Sequence, residues 1–309
     1  MMFFITTLLI LVSVAGAQDI ADAPTFRTGV SDVKVDAQVV ENGKIITGLT
    51  QDAFQITDEG QPRQIVYFGR DAEPLSLVLL LDISGSMHRW LQRIASTARE
   101  AMGYLRPGDK VAIMVFGKTV EIHQGFSDNL QETARQIGSA ITDHDVGAGT
   151  AINQSVAVAA EYMRKNAGSQ GRHAILILTD NLSISYQFRD EEVIKALYAG
   201  DTVLNAIVVG RAIRPGPPKP GIYQNPDFTP ADVFKLAEDT GGEAVRADET
   251  DISFKDMIER IRTRYSLWYH APGGAPASFR HIGVTLTGDA KRRYPLAEVR
   301  ARHGYYVSE

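Results

Sequence analysis

The stretch that most constrains this chain is Leu75 to Met87, Leu-Ser-Leu-Val-Leu-Leu-Leu-Asp-Ile-Ser-Gly-Ser-Met. Its first half is apolar almost without interruption, which suits a parallel strand buried on both faces better than a strand with one side in water. The run stops at Asp82, and Ser84 and Ser86 follow at alternate positions. Open α/β sheets bind their ligands at the carboxyl ends of such strands. A strand that brings only oxygen donors to that end predicts a site for a hard divalent cation.

The rest of the chain narrows the setting. Its 309 residues allow one large domain or two, and a 44% apolar share supports a packed core. A net charge of −5 without a dense Lys/Arg stripe argues against a nucleic-acid partner. The absence of cysteine excludes disulfides, thiolate metal sites and a catalytic thiol. Phe3 to Ala17 is an apolar segment closing on Ala15-Gly16-Ala17, the small-residue pattern of a signal-peptide cleavage site. It is shorter than the roughly 20 residues that span a bilayer. Residues 1–17 are therefore expected to be removed, leaving a secreted or periplasmic protein of the cell envelope with no stable membrane span, an uncleaved anchor being the alternative.

Hydrophobic periodicity divides what remains. Over residues 25–70 the period is two: Val33, Val35, Ala37 and Val39 alternate with Asp32, Lys34, Asp36 and Gln38, as in a strand with one wet face. Asn42-Gly43 reads as a hairpin turn, and Asp58-Glu59-Gly60 as a second turn, between strands near Phe54 to Thr57 and Gln64 to Phe68. Residues 71–264 change to alternating strands and helices. The strands are expected at Leu75 to Asp82, Lys110 to Gly117, Val120 to Phe126, Ala174 to Asp180, Val203 to Gly210 and Glu243 to Val245. Only Lys118-Thr119 separates the second from the third, which predicts one antiparallel edge strand beside parallel neighbours joined by helical crossovers. Thr229-Pro230 reads as the start of a late helix, capped and with Pro at its first position, and Gly241-Gly242 as its stop.

From residue 265 to 309 alternation returns, with a turn at Gly288-Asp289 and a closing strand from Val299 to Val307. Each flank is too short to bury a good core alone, and together they approach the size of one β-sandwich. The expected architecture is a doubly wound, mostly parallel α/β domain (71–264) inserted in a small Ig-like β-sandwich built from residues 25–70 and 265–309. The loop Arg211 to Thr229, rich in proline, leaves a strand on the same rim as the expected cation.

Two further segments complete the candidate site. Gly147-Ala148-Gly149-Thr150 delivers a hydroxyl as a helix begins, and Ile175-Leu-Ile-Leu-Thr-Asp180 is a second buried strand ending in a carboxylate. Parallel strands place Asp82 and Asp180 on one edge, with the hydroxyls of Ser84, Ser86 and Thr150 around them. Such donors suit Mg²⁺ best, with Mn²⁺ or Ca²⁺ as alternatives. Two carboxylates at most neutralise a dication, so an open position remains for an Asp or Glu carboxylate from a partner. The competing explanation of Asp82 and the serines, helix capping, accounts for one of them and not for the distributed set.

Asp-x-Ser-x-Ser after an apolar strand, Thr150 after a glycine loop and the later strand-end Asp180 resemble the metal-ion-dependent adhesion site (MIDAS) of von Willebrand factor A-type domains. The resemblance covers Leu75 to Arg264 and implies a metal shell of Asp82, Ser84, Ser86, Thr150 and Asp180. It also implies protein–protein interaction or cell adhesion as the function. The flanking fragments Leu49-Thr50-Gln51-Asp52-Ala53-Phe54, Asp58-Glu59-Gly60 and Arg302-His303-Gly304-Tyr305-Tyr306 are similar to those of the VWFA-related Acidobacterial domain family. The sequence departs from the family at Asn181, where Gly often follows the strand-end Asp. His88-Arg89-Trp90 stands where integrin β-type domains carry extra acidic residues, so no adjacent second metal is expected.

Enzymatic alternatives are thinner. No Gly-x-Ser-x-Gly elbow supports Ser84 as a nucleophile, and the seven histidines lack His-x-x-x-His spacing. A Mg²⁺-dependent phosphohydrolase with Asp82 as nucleophile is the serious competitor, though it lacks Asp-x-Asp spacing and an evident phosphate-binding Lys or Arg. A third reading is a scaffold with a purely structural metal. Binding is the expected function, no catalytic residue is assigned, and Tyr186 and Phe188 are candidate aromatic anchors for the partner.

Overall fold

The computed structural model describes residues 32–70, 73–142, 144–183, 189–210, 231–247 and 254–307. The leader segment, Tyr186 and Phe188, and the proline-rich loop lie outside the described residues.

The flanks build two antiparallel sheets. β1 (Asp32–Glu41) turns into β2 (Lys44–Ile45) through Asn42 and Gly43, whose φ angles of 50° and 76° make the left-handed turn that matches strand twist. Glu59 and Gly60 do the same between β3 (Phe54–Asp58) and β4 (Gln61–Arg63). The strand expected from Gln64 to Phe68 is found one residue on, as β5 (Ile65–Gly69), and a short β4 precedes it. β4 stays on β3 as an edge strand that tolerates Pro62, and β5 crosses to the other sheet.

There β5 meets β12 (Tyr265–His270), giving the order β14 (Glu298–Arg300), β1, β12, β5. The second sheet runs β15 (Gly304–Tyr306), β13 (Phe279–Leu286), β3, β4. Strands from the two ends of the chain pair directly, with Val35 opposite Leu267 and Ile56 opposite Val284. Val35, Val39, Ile56, Leu267, Tyr269 and Ile282 then share one apolar core.

Three expectations need correction here. The polar face of β1 is not in water, for Lys34, Asp36 and Gln38 are buried. That face abuts the α/β block and its side-chain donors are paired: Gln38 Nε2 donates to Arg260 O at 2.7 Å, and Lys34 Nζ to Gly171 O at 2.6 Å. The closing strand from Val299 to Val307 is two strands in two sheets. Between them the chain crosses over the α/β block, bridging Thr240 with Arg302 and donating His303 N–H to Asp239 O at 3.2 Å. Gly288-Asp289 opens a short helix instead of a bare turn, α7 (Gly288–Arg293), with Asp289 in its first turn and three basic residues in its last, as the helix dipole favours.

The middle of the chain forms a six-stranded sheet. Its order is β11 (Ala244–Ala247), β10 (Thr202–Val209), β9 (Arg172–Thr179), β6 (Leu75–Asp82), β7 (Lys110–Phe116), β8 (Val120–Ser127). All pairings are parallel except β7 with β8. Alternate residues of β6 serve two cores. Leu77, Leu79 and Leu81 pack with α1 (His88–Ala101), α2 (Leu130–Ala140) and α6 (Phe254–Arg262). Val78 and Leu80 pack with α3 (Ile152–Asn166), α4 (Asp190–Ala199) and α5 (Val233–Asp239). Burial on both faces is why β6 needs an unbroken apolar run. The start expected for α5 at Thr229-Pro230 gives way to Asp232, whose side chain accepts from Lys235 N–H and caps a helix beginning at Val233. The three sheets belong to one compact unit, Ser31–Glu309.

Candidate metal centre

The chain runs from β6 outward to β7 and later returns to place β9 on the other side of β6, so the strand order reverses beside β6. Crevices at the carboxyl ends of strands form at such reversals. Leu81 pairs with Leu178, which sets Asp82 and Asp180 nearly level at the ends of adjacent parallel strands. Both are buried, with 1% and 6% of their surface exposed.

Hydrogen bonds orient Asp82 closely. Its Oδ1 accepts Ser84 N–H at 3.0 Å, and its Oδ2 accepts the Thr179 hydroxyl at 2.7 Å. Burial pushes the Asp82 carboxyl up to about 6; the bonds from Ser84 and Thr179 pull it down, and the neighbouring Asp180 adds to the rise. Ser84 opens a short 3₁₀ turn, Gly85–Met87, but its side chain makes no cap bond there, and the first residue of α1 is preceded by Met87 without a side-chain cap. The capping explanation of the serines therefore does not apply. Ser84 Oγ lies 3.4 Å from Ser86 Oγ, which reaches out to an exposed position.

Thr150 arrives on a loop shaped by glycine. Gly147 and Gly149 adopt φ of 73° and 125°, conformations an L side chain rarely takes. Gly117, at the end of β7, makes room for that loop: a Cβ there would sit 2.6 Å from Val146 Cγ2 and 3.2 Å from Gly149 O. Ala151 N–H donates to Gly117 O at 2.8 Å, and Ser183 Oγ to Thr150 O at 3.0 Å, so the loop is tied to both β7 and the segment after β9. Asp145 is exposed and caps Gly147 N–H at 3.1 Å, the role of a loop carboxylate and not of a ligand partner.

Asp180 Oδ1 accepts Leu182 N–H at 3.1 Å. Asn181 next to it has φ 57°, a left-handed conformation that Asn tolerates better than most non-glycine residues. The backbone here demands what glycine supplies freely, which accounts for Asn in place of Gly. Asn181 Oδ1 also accepts Val233 N–H at 3.3 Å, linking this turn to the start of α5.

Two buried carboxylates flanked by hydroxyls form an all-oxygen donor set suited to a hard divalent cation. Among the described residues the main influences on the Asp82 carboxyl include no cationic side chain, and no group of three or more His, Asp or Glu side chains gathers to hold an ion. Thr179 and Gly117 were not singled out from sequence; Thr179 lies in a strand rich in apolar residues, and the glycine signal was read only in the loop itself.

Residues 77–182, from within β6 to the turn after β9, match the family model of the von Willebrand factor type A domain. Over those residues the chain is similar to von Willebrand factor type A domains. Asp82, Ser84, Ser86, Thr150 and Asp180 all fall inside the matched segment. Among solved structures, the chain is similar to the conserved hypothetical protein BatB from Bacteroides thetaiotaomicron. The identity is 18%, over 60% of this chain and 98% of that one, with a TM-score of 0.46. An aerotolerance-related membrane protein from Bacteroides fragilis is similar at 17% identity, over 60% of this chain and 98% of that one, with a TM-score of 0.47. Proximal thread matrix protein 1 from the mussel byssus is similar at 13% identity, over 66% of this chain and 51% of that one, with a TM-score of 0.49. No curated protein matches the chain in sequence. No described helix is long and apolar enough to cross a membrane.

Proposed function

We propose that this chain is an exported interaction module that captures an Asp or Glu carboxylate of a partner protein through a divalent cation. Mg²⁺ is the expected ion, with Asp82, Ser84, Ser86, Thr150 and Asp180 as its holders and Mn²⁺ or Ca²⁺ as alternatives. The observation that carries the reading is the pair Asp82 and Asp180, buried side by side at the ends of adjacent parallel strands with hydroxyls around them. Buried carboxylates are expected to be paired or to coordinate metal. When bound, the cation supplies an electrophilic position at which a carboxylate oxygen can replace water. The chain's own part is to hold that position at the carboxyl edge of the sheet, with Thr179 and Ser84 fixing the Asp82 carboxylate.

In this reading residues 25–70 and 265–309 form one β-sandwich in which the α/β domain, residues 71–264, is inserted. The test is water-proton relaxation of the Mn²⁺-loaded full chain, titrated with acetate and then with a Glu-containing peptide. Saturable Mn²⁺ binding lost in Asp82→Ala, with coordinated water displaced by carboxylate, is the expected result. Binding that survives Asp82→Ala refutes the site. Mg²⁺-dependent phosphate-ester hydrolysis lost in the same variant replaces the binding reading with the enzymatic one.

A further inference from the structure

A second cluster of donors lies on the antiparallel edge of the α/β sheet, apart from the oxygen site. His123 on β8 and His144, six residues before Thr150, face each other with His123 Nδ1 2.8 Å from His144 Nε2. The outer nitrogen of each ring is held by an acceptor. His144 Nδ1 lies 2.7 Å from Glu121 Oε2, and His123 Nε2 lies 3.1 Å from Gln136 Oε1.

The neighbouring donors and acceptors constrain where the ring protons sit. Gln136 Nε2 donates to Glu132 Oε1 at 2.7 Å, and a carboxylate oxygen can only accept, so the amide oxygen of Gln136 is the atom turned to His123. The Gln136 amide, with Arg135, holds the Glu132 carboxyl below its ordinary range, as an ionised acceptor requires. That amide oxygen also only accepts, so His123 carries its proton on Nε2. The nearby Ser139 Oγ, 3.2 Å from the same nitrogen, has the Gln136 carbonyl at 3.0 Å to receive its own proton. By the same argument Glu121 draws the His144 proton to Nδ1. In two neutral rings the inner nitrogens, His123 Nδ1 and His144 Nε2, would both be lone pairs at 2.8 Å, a repulsion that either a shared proton or a metal ion bound by both nitrogens relieves.

We propose that the His123–His144 pair is a binding site for a divalent transition-metal ion of the Zn²⁺ or Cu²⁺ class, separate from the oxygen site. Neutral imidazole is the commonest ligand for such ions, and ligating rings characteristically donate their other N–H to a carboxylate or carbonyl. Glu121 and Gln136 do so here. Two imidazoles leave the remaining coordination positions to water or to an external donor. Both rings are partly accessible, so an ion can enter without opening the fold. The bound ion joins the edge strand β8 to the loop that ends at Thr150.

The test is calorimetric titration of the tag-free full chain with Zn²⁺ in excess Mg²⁺, with electron paramagnetic resonance of a Cu²⁺-loaded sample. One Zn²⁺ per chain is expected, unchanged in Asp82→Ala, with imidazole nitrogen couplings in the Cu²⁺ spectrum. His123→Gln and His144→Gln should each weaken binding at least about tenfold, and Glu121→Gln by about tenfold through the outer proton. Matching melting curves in chelator establish that these variants fold. Zn²⁺ binding unmoved by both histidine variants overturns the proposal. So does a chain that takes up no Zn²⁺ while the two rings titrate as a pair sharing one proton.

Discussion

At the amino edge of the parallel sheet buried charges meet opposite charges, whereas at the carboxyl edge they meet hydroxyls. Asp109 precedes β7 and pairs with Arg262 at the end of α6, while accepting Leu75 N–H at 2.9 Å and Arg106 N–H at 2.7 Å. Asp36 on β1 takes the Ser266 hydroxyl at 2.6 Å and lies 3.8 Å from both Lys34 and Arg172. Burial pushes the Asp36 carboxyl up, but Lys34, Arg172 and Ser266 outweigh it and hold it below its ordinary value. Arg172 also donates to Arg264 O at 2.6 Å, so this edge binds the flanking sheets to the α/β block. Asp82 at the other edge has similar burial and the opposite shift. The chain supplies its own cations where it needs adhesion between layers and withholds them where a foreign cation is proposed to sit.

The sharpest break of that contrast is Asp109→Ala. Removing the carboxylate takes a buried ion-pair partner from the Arg262 guanidinium, and breaking a buried pair costs about 3–5 kcal/mol. Urea unfolding should show that loss, with Mn²⁺ affinity unchanged in whatever fraction stays folded. A loss under about 1 kcal/mol would place the pair among weak surface bridges and remove the contrast.

Asp82→Asn tests the other edge and should move stability the opposite way. The wild-type carboxyl titrates near 6 when folded and near 3.8 when unfolded, so between those values the folded state binds more protons. Its contribution therefore favours folding below pH 4 and is lost as pH rises through 6. In chelator the variant should gain on wild type across that window, by on the order of 3 kcal/mol for a shift of this size. Mg²⁺ should reverse the order at neutral pH by stabilising only wild type. Parallel pH profiles for the two proteins would show that Asp82 is not a strained charge.

This contrast also marks what could be read from sequence. The carboxyl edge was legible because strand ends, apolar runs and small oxygen-bearing residues are local signals, and parallel order brings them together. Asp82, Ser84, Ser86, Thr150 and Asp180 needed only that order. The amino edge was not legible. Lys34, Asp36 and Gln38 alternate with valines as a solvated strand face does, and period two cannot say whether water or another layer covers the polar side. Their partners Gly171, Arg172 and Arg260 are far away in the chain. The division of Val299 to Val307 into two strands was hidden for the same reason, since Thr240 and Asp239 make the crossing. Gly117 could have been found, because a glycine closing a buried strand opposite a glycine loop signals close backbone approach.

The finest test concerns the turn after Asp180. Asn181 holds φ 57°, its Oδ1 accepts the first N–H of α5, and its Nδ2 is buried without a partner. Asn181→Gly relieves the left-handed cost and removes the unsatisfied donor. It also gives up the bond to Val233 and adds chain entropy to the unfolded state. These terms oppose one another, so the melting temperature should correspond to a change within about 1 kcal/mol. Mn²⁺ affinity should stay the same, because glycine keeps the backbone path that presents Asp180. If affinity falls tenfold instead, the Asn181 side chain, through its hold on α5, sets the position of that carboxylate, and the carboxyl edge is braced by a side-chain contact as the amino edge is.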